Sequence, residues 1–303
     1  MKVYIPKVKE SWIIDRIRKE WYGHSDNIST KFIFFSNIIW INAPWAWSKV
    51  NKYYLDNKIV VCTIHHIEKD KNLEEFYELD KFVNYYHAPS LKTFNQLKLL
   101  TDKKIFHIPY WVNENNFFYI DEKNKLRDKY SIGENDWLVG SFQRDTEGSD
   151  LKSPKLIKGP DIFIKNVLNL FENNKDLKVI LTGKRRQYVI ENLKKHDIPF
   201  AYFEMVNSKE LNELYNILNL YIVSSRIEGG PQAILECAIT KTPIVSTDVG
   251  LAKEILHESS IYKDEINISK LDLDYAYKNV IKLEIKNLIK QYDKMFYDIY
   301  QTR

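Results

Sequence analysis

The feature that most constrains this chain is an alternation: short β-branched or aromatic runs give way to segments of helical period almost from end to end. A strand, a helix and a further strand in that order join one sheet as parallel neighbours, because the helix crosses a face of the sheet between them. In the first third the strand runs are KVYIP (2–6), KFIFFS (31–36), KIVVCTI (58–64), FVNYYHA (82–88) and KIFHIP (104–109). Helical stretches are predicted between them at 11–21, 71–79 and 90–100, the last with Ser90 as its N-cap. Residues 113–135 turn polar and read as a linker with a short helix. A second series follows: WLVGSF (137–142), LKVILT (177–182), AYFEM (201–205), LYIVSS (220–225) and PIVSTD (243–248). From about 276 to the end, Val280, Ile281, Ile285, Leu288, Tyr292, Phe296 and Ile299 recur at three and four residues. That period predicts an amphipathic closing helix over 276–303.

Two doubly wound domains, at 1–112 and 136–275, fit a chain of 303 residues, since single domains run to about 100–200. Hydrophobic residues at 44% and charged ones at 28% are ordinary for a soluble protein with a sizeable core. A net charge of +4 and a pI near 8.6, with the basic residues dispersed, suit an anionic substrate or a membrane surface and fall short of a nucleic-acid-binding profile. Cys62 and Cys237 each sit in an apolar segment, as buried thiols do, and point to a reducing cytoplasm. MKVYIPKVKE lacks the apolar centre of a signal peptide, and FIFF and IIWINAPWAW are too short or too interrupted to span a bilayer. Any membrane contact is therefore expected to be peripheral, at the inner face. The closing helix, with lysines at 278, 282, 286, 290 and 294, could make it; its apolar face could instead pack across the two domains.

Ligands of parallel sheets bind outside the carboxyl ends of the strands, so chemistry is sought in the loops that follow them. WLVGSF runs into Gln143-Arg144 and then a polar insertion that ends at Ile157-Lys158-Gly159-Pro160-Asp161. LKVILT runs into Gly183-Lys184-Arg185-Arg186, and LYIVSS into Arg226-Ile227-Glu228-Gly229-Gly230-Pro231. Three strand ends thus bring cations or helix N-termini to one sheet edge, the makings of a diphosphate-sized anion site. Two acids accompany it. With Pro231 near the first helical position, Glu236 lies about one and a half turns in, where an acceptor-only carboxylate suits the paired hydroxyls of a ribose. Glu228 precedes the helix and meets hydroxyls on the far side of the phosphates. One acid for a ribose and one for a sugar make a nucleotide-sugar site.

The same residues carry a family resemblance. The chain resembles the retaining glycosyltransferases of the GT-B fold, family-four type (glycosyl transferases group 1), whose E-x7-E signature is matched by Glu228 and Glu236. SSRIEGGPQAILECAITKTPIVSTDVG is similar to that family's donor loop along its whole length, and VGSFQR with LIKGPDIF places its pair of donor-phosphate cations on Arg144 and Lys158. IFHIPYWVNENNF lies where the family joins its domains. The resemblance implies an α/β GT-B fold: two Rossmann-like doubly wound parallel-sheet domains facing a cleft, acceptor domain first and donor domain second, with a C-terminal helix packing across both. It implies transfer of a hexose-like sugar from a nucleotide diphosphate sugar to a glycan or lipid-linked acceptor, as in polysaccharide or glycoconjugate synthesis, with retention of configuration. No cofactor and no metal are required by that arrangement. Arg144 and Lys158 would stabilise the departing diphosphate. Gly183, Lys184, Met205, Val206, Gly229, Gly230, Gln232 and Ala233 would hold the donor together with the two acids. His65, the first choice for a catalytic histidine, and His66, the second, follow an N-terminal strand; His66 and Lys7 are the acceptor-side candidates.

The chain departs from the family's pattern in three places. YIPKVKESW has no glycine where the family has a glycine-rich loop, the segment between Arg144 and Lys158 is long, and Tyr110-Trp111 replaces Asn-Gly at the domain junction. Other motifs fail: TGK at 182–184 has Lys178 where a P-loop needs glycine, and no GxGxxG follows a strand. Asp272-Leu273-Asp274 spells an acid-x-acid metal motif but lies near the closing helix, and is read as incidental. Two further readings stay open: a sugar-nucleotide epimerase of the same architecture, and a non-catalytic module that binds a glycan or sugar nucleotide.

Overall fold

The computed structural model describes residues 1–9, 13–68 and 73–302; the helix starts predicted at 11 and 71 lie outside them. The chain forms two compact units, one of residues 1–113 with 283–303 and the other of 114–282.

The first unit begins with β1 (Val3–Tyr4), α1 (Ile13–His24), β2 (Ile38–Ile41), α2 (Lys52–Asn57) and β3 (Ile59–Thr63). It continues with α3 (Leu73–Asp80), β4 (Tyr85–Ala88), α4 (Leu91–Leu97) and β5 (Ile105–His107). The strands make one parallel sheet in the order β1-β2-β3-β4-β5. Val3 bridges Ser29 in parallel on its other side, so the chain first steps outward through α1 and then crosses back over β1 to β2. That reversal is what makes the sheet doubly wound, because right-handed crossovers in opposite directions lie on opposite faces. The two faces follow the strand period of two: Val3, Ile38, Trp40 and Val61 join one core with α1, while Ile39, Ile41, Val60 and Cys62 join the other with α2, α3 and α4.

KFIFFS, predicted as the second strand, is not one. Ile33–Phe35 is a 3-10 turn, and the strand is the next run, IIWI, every residue of which is buried. A parallel strand must be covered on both faces; here the chain gives that place to the run it can bury and leaves Phe32, Phe34 and Phe35 exposed.

The second unit contains α5 (Lys123–Lys129), β6 (Trp137–Ser141), a hairpin of β7 (Thr146–Glu147) and β8 (Ser153–Pro154), α6 (Pro160–Asn173), β9 (Leu177–Thr182) and α7 (Gln187–Lys195). Then come β10 (Phe200–Phe203), α8 (Ser208–Ile217), β11 (Leu220–Val223), α9 (Gln232–Ile239), β12 (Ile244–Ser246), α10 (Ala252–Ile255) and α11 (Leu273–Val280). Its parallel sheet runs β10-β9-β6-β11-β12, so the winding reverses between β6 and β11. The stretch read as a linker is strapped to this unit. Phe117 is buried, and the Phe118 and Ile120 N–H groups donate to the Asn212 and Asn216 side-chain oxygens at 3.0 and 2.7 Å. Lys129 and Tyr130 both donate to Glu213.

The closing helix is two helices. α11 belongs to the second unit, and Asp272 of the acid-x-acid motif is its N-cap, accepting from the Tyr275 N–H at 2.8 Å. α12 (Ile285–Gln301) returns to the first unit, where Ile285, Leu288, Ile289, Tyr292, Met295, Phe296 and Ile299 complete the core around Trp21 and Trp40. Its helical stripe is the period that the sequence displays. Its apolar face is buried in the core of the first unit. Among the described residues, no helix is long and apolar enough to cross a membrane.

Candidate functional site

The carboxyl ends of β6 and β11, on either side of the reversal, carry the loops that matter most. After β11 the chain runs Ser224, Ser225, Arg226, Ile227, Glu228, and this loop is clamped by two glycines. Gly159 takes a left-handed backbone (φ 59), and a Cβ there would stand 1.9 Å from the Ser224 carbonyl oxygen. Gly250 (φ 51) is nearly as tight, since a Cβ there would lie 2.5 Å from the Gly229 oxygen. Only glycine combines that conformation with that approach. The Arg226 and Ile227 N–H groups then both donate to the Ile157 oxygen, at 2.8 and 3.2 Å.

This clamp brings Lys158 to Glu228. The Lys158 ammonium donates to Glu228 Oε1, and Ser225 Oγ donates to the same oxygen at 3.2 Å. Gln143, just after β6, ties the pair down: its Nε2 donates to the Lys158 carbonyl at 2.9 Å and its Oε1, also 3.2 Å from Ser225 Oγ, shares that hydroxyl's one proton with Glu228. With side chains 22% and 15% exposed, Lys158 and Glu228 are mostly withdrawn from water but reachable by a ligand. Arg144 is exposed, its Nε donating to the Thr146 oxygen at 3.2 Å. Lys155, which the sequence reading missed, lies in the same field. Burial, with the Lys158 and Arg144 cations nearby, pulls its ammonium below the ordinary range against the pull of Glu147 and Glu228. The insertion between Arg144 and Lys158 is the β7–β8 hairpin, and the Lys155 N–H closes its base on the Asp145 oxygen at 2.8 Å. Nothing in sequence spacing distinguishes Lys155 from the neighbouring Lys152.

The remaining cations divide. Arg226 is paired with Asp161 at the surface, through two bonds of 2.8 and 2.6 Å. Arg186 turns inward: it is fully buried, pairs with Asp145 and donates to the Ser141 and Thr182 carbonyls, locking the ends of β6 and β9 together. Of the cationic run after β9, Lys184 remains exposed, and Arg185 donates to the Gly148 oxygen at 3.0 Å. The Gly183 N–H is already used by the Glu204 oxygen at 2.9 Å, so it does not point at an anion. Met205, 52% exposed, and the half-buried Val206 lie in the loop between β10 and α8.

Pro231 is the residue before α9, and Glu236 is the fifth residue of that helix. Glu236 is 3% exposed, and Tyr215 donates its hydroxyl to the carboxylate at 2.7 Å. Burial, with that carboxylate beside it, holds the Tyr215 hydroxyl protonated by raising it well above its ordinary value, so it stays a donor. Gly229 is buried, and Gly230, Gln232 and Ala233 are half-buried at the head of the helix.

In the first unit, His65 follows β3. Its Nε2 donates to the Asn42 carbonyl at 2.8 Å, which fixes the tautomer with the proton on Nε2. The ring stacks on Tyr110 at 5.8 Å and lies beside Trp45. Tyr110 donates to Asn42 Oδ1, while the buried Asn42 Nδ2 has no acceptor. Tyr110 and Asn42 are thus polar supports of His65 that the sequence reading did not assign. His66 faces Glu68 at 3.6 Å, and Lys7 is exposed in the loop after β1. That loop has a left-handed position after all, filled not by glycine but by Lys9 (φ 64). Among the described residues, no group of three or more His, Cys, Asp or Glu could hold a metal ion.

Residues 151–283, the greater part of the second unit, match the family model of the glycosyl transferases group 1. Among solved structures the chain is similar to sucrose-phosphate synthase from Thermosynechococcus elongatus (TM-score 0.68, 12% identity, 98% of this chain and 81% of that one). It is as similar to HepE of Anabaena in complex with UDP and glucose (TM-score 0.67, 12% identity, 95% and 91%) and to a glycosyltransferase from Rickettsia africae (TM-score 0.66, 16% identity, 98% and 84%). Among curated protein sequences no significant match is found. The chain has the GT-B fold of these glycosyltransferases, two units each built on a five-stranded parallel sheet.

Proposed function

We propose that the protein is a metal-independent glycosyltransferase that moves a hexose-like sugar from a nucleotide diphosphate sugar to a glycan or lipid-linked acceptor, with retention of anomeric configuration. The observation that carries this reading is the Lys158–Glu228 pair, clamped at the winding reversal of a group 1 domain with Arg144 and Lys155 in its field. As the bond from the anomeric carbon to the diphosphate breaks, its electron pair leaves on the diphosphate oxygens. Arg144, Lys155 and Lys158 neutralise that charge from fixed positions, which is the large term in such catalysis. Glu228 holds sugar hydroxyls as an acceptor, and Glu236, within α9, holds the ribose. His65, fixed on Nε2, serves the acceptor side. UDP-glucose is the first donor to try, because HepE of Anabaena is solved with UDP and glucose.

The test is transfer from UDP, GDP and ADP sugars to glycan and lipid-linked acceptors, with the product anomer read by proton NMR. Glu228→Gln and Lys158→Ala should each lower kcat by roughly 100- to 1,000-fold with the fold intact, and EDTA should leave the wild-type rate unchanged. Full activity in both variants would sink the assignment. Conversion of the donor with no acceptor present would make the protein an epimerase, and binding without turnover would make it a binding module.

A further inference from the structure

KFIFFS belongs to no strand and no part of the site, and it displays its aromatic rings to solvent. Phe32, Phe34 and Phe35 are 67%, 71% and 65% exposed, on and beside the 3-10 turn Ile33–Phe35. Their rings meet edge to face at 6.2 and 5.3 Å, forming one patch. A single exposed apolar side chain needs no explanation. Three adjacent rings leave roughly 400 Å² of apolar surface uncovered, the size of the largest patch on a typical monomer, which is often a functional one.

The turn is held rigidly in this display. Ile33 packs inward against the core of the first unit. Ser36 Oγ donates to the Ile33 oxygen at 2.7 Å, and the Lys58 ammonium donates to the Phe34 oxygen at 3.1 Å and to the Ser36 oxygen. The patch lies at the amino ends of β2 and β3, the end of the sheet opposite to Asn42 and His65. It is therefore separate from the site described above.

Charge decides what covers it. Over residues 25–38 the only charged side chains are Asp26 and Lys31. The fold adds the Lys2 ammonium, on the Asn27 carbonyl at 3.0 Å. Two cations to one carboxylate, around phenylalanine rings, is a composition that suits an anionic bilayer surface: rings enter the acyl boundary while ammonium groups remain with the lipid phosphates. We propose that the protein docks on anionic lipid membranes through Phe32, Phe34 and Phe35, with Lys2 and Lys31 on the headgroups. This inference concerns where the protein works and does not rest on the glycosyl-transfer reading.

The experiment is co-sedimentation of the full chain, without donor, with vesicles of phosphatidylcholine alone or mixed equally with phosphatidylglycerol. The wild type should sediment with the anionic vesicles and not with the neutral ones, and added salt should weaken the binding. F32S/F34S/F35S should lower the partition coefficient by about tenfold or more, and Lys31→Glu by a smaller factor. Melting temperature and circular dichroism verify that the variants fold, and Phe34→Ser alone serves if the triple variant does not. Wild type that ignores anionic vesicles, or a folded triple variant that binds like the wild type, overturns the proposal. So does a wild-type dimer, seen by light scattering, that the substitutions dissolve while vesicle binding is absent. A nucleotide-diphosphate thermal shift, run in parallel, reports on the donor reading independently.

Discussion

At the residue scale the two glutamates lie in different surroundings. Glu228 is reachable and ion-paired, whereas Glu236 is buried against a tyrosine hydroxyl. Glu236→Gln keeps a hydrogen-bond acceptor, so it should raise the donor KM about tenfold with kcat nearly unchanged, as loss of uniform binding does; steady-state kinetics beside Glu228→Gln check this. His87 gives a stability prediction. Burial lowers its pKa from 6.5 to about 3, against the Ile108 carbonyl it donates to, so the folded protein keeps it neutral. Between those values the unfolded chain binds more protons than the folded one. Stability is therefore fully present above pH 6.5 and is lost as pH falls through the window, at about 1.4 kcal/mol per unit at most. Calorimetric melting between pH 7 and pH 5 should show the slope, and His87→Asn should flatten it. The placing of the two acids around one helix start was legible in the sequence because it depends on local spacing. Lys155, Asn42 and Tyr110 were not, because contacts distant in sequence bring them into place.

At the element scale, the loop after β11 owes its shape to backbone closeness more than to its own bonds. Gly159→Ala adds both a left-handed strain of about 1–3 kcal/mol and a clash with the Ser224 carbonyl, so the loop must shift. The expected outcome is a lower melting temperature together with lost transfer, because the Lys158–Glu228 pair moves with it. Unchanged activity in Gly159→Ala would show that the clamp does not set the pair. The parallel strands of the second unit were legible because each is a short apolar run followed by a helix, and all but the edge strand β10 are largely buried. KFIFFS was misread for a physical reason: composition marks it as strand, but the neighbouring IIWI can be covered on both faces and takes the place. The β7–β8 hairpin was invisible as structure, since its two short strands carry no hydrophobic alternation.

At the scale of the whole molecule, the first unit is discontinuous and the second lies between its parts. Trp21 and Trp40 each meet Phe296 of α12, at 5.8 and 5.3 Å, and Trp111 meets Tyr292 at 5.1 Å. Phe296→Ala should therefore cost about 3–5 kcal/mol, read by denaturant unfolding as loss of the first unit's transition. A fragment of residues 114–282 should fold by itself and give a cooperative melt. The sequence announced α12 by its period but not its allegiance, since an apolar stripe says that a helix is buried and not against what.

The return of α12 also orders events in time. On the ribosome, residues 114–282 are synthesised before the helix that seals Trp21, Trp40 and Val3 into a core. The sheet of the first unit thus waits with one apolar face uncovered while the whole second unit is being added to the chain, and the element that covers it is made after that unit.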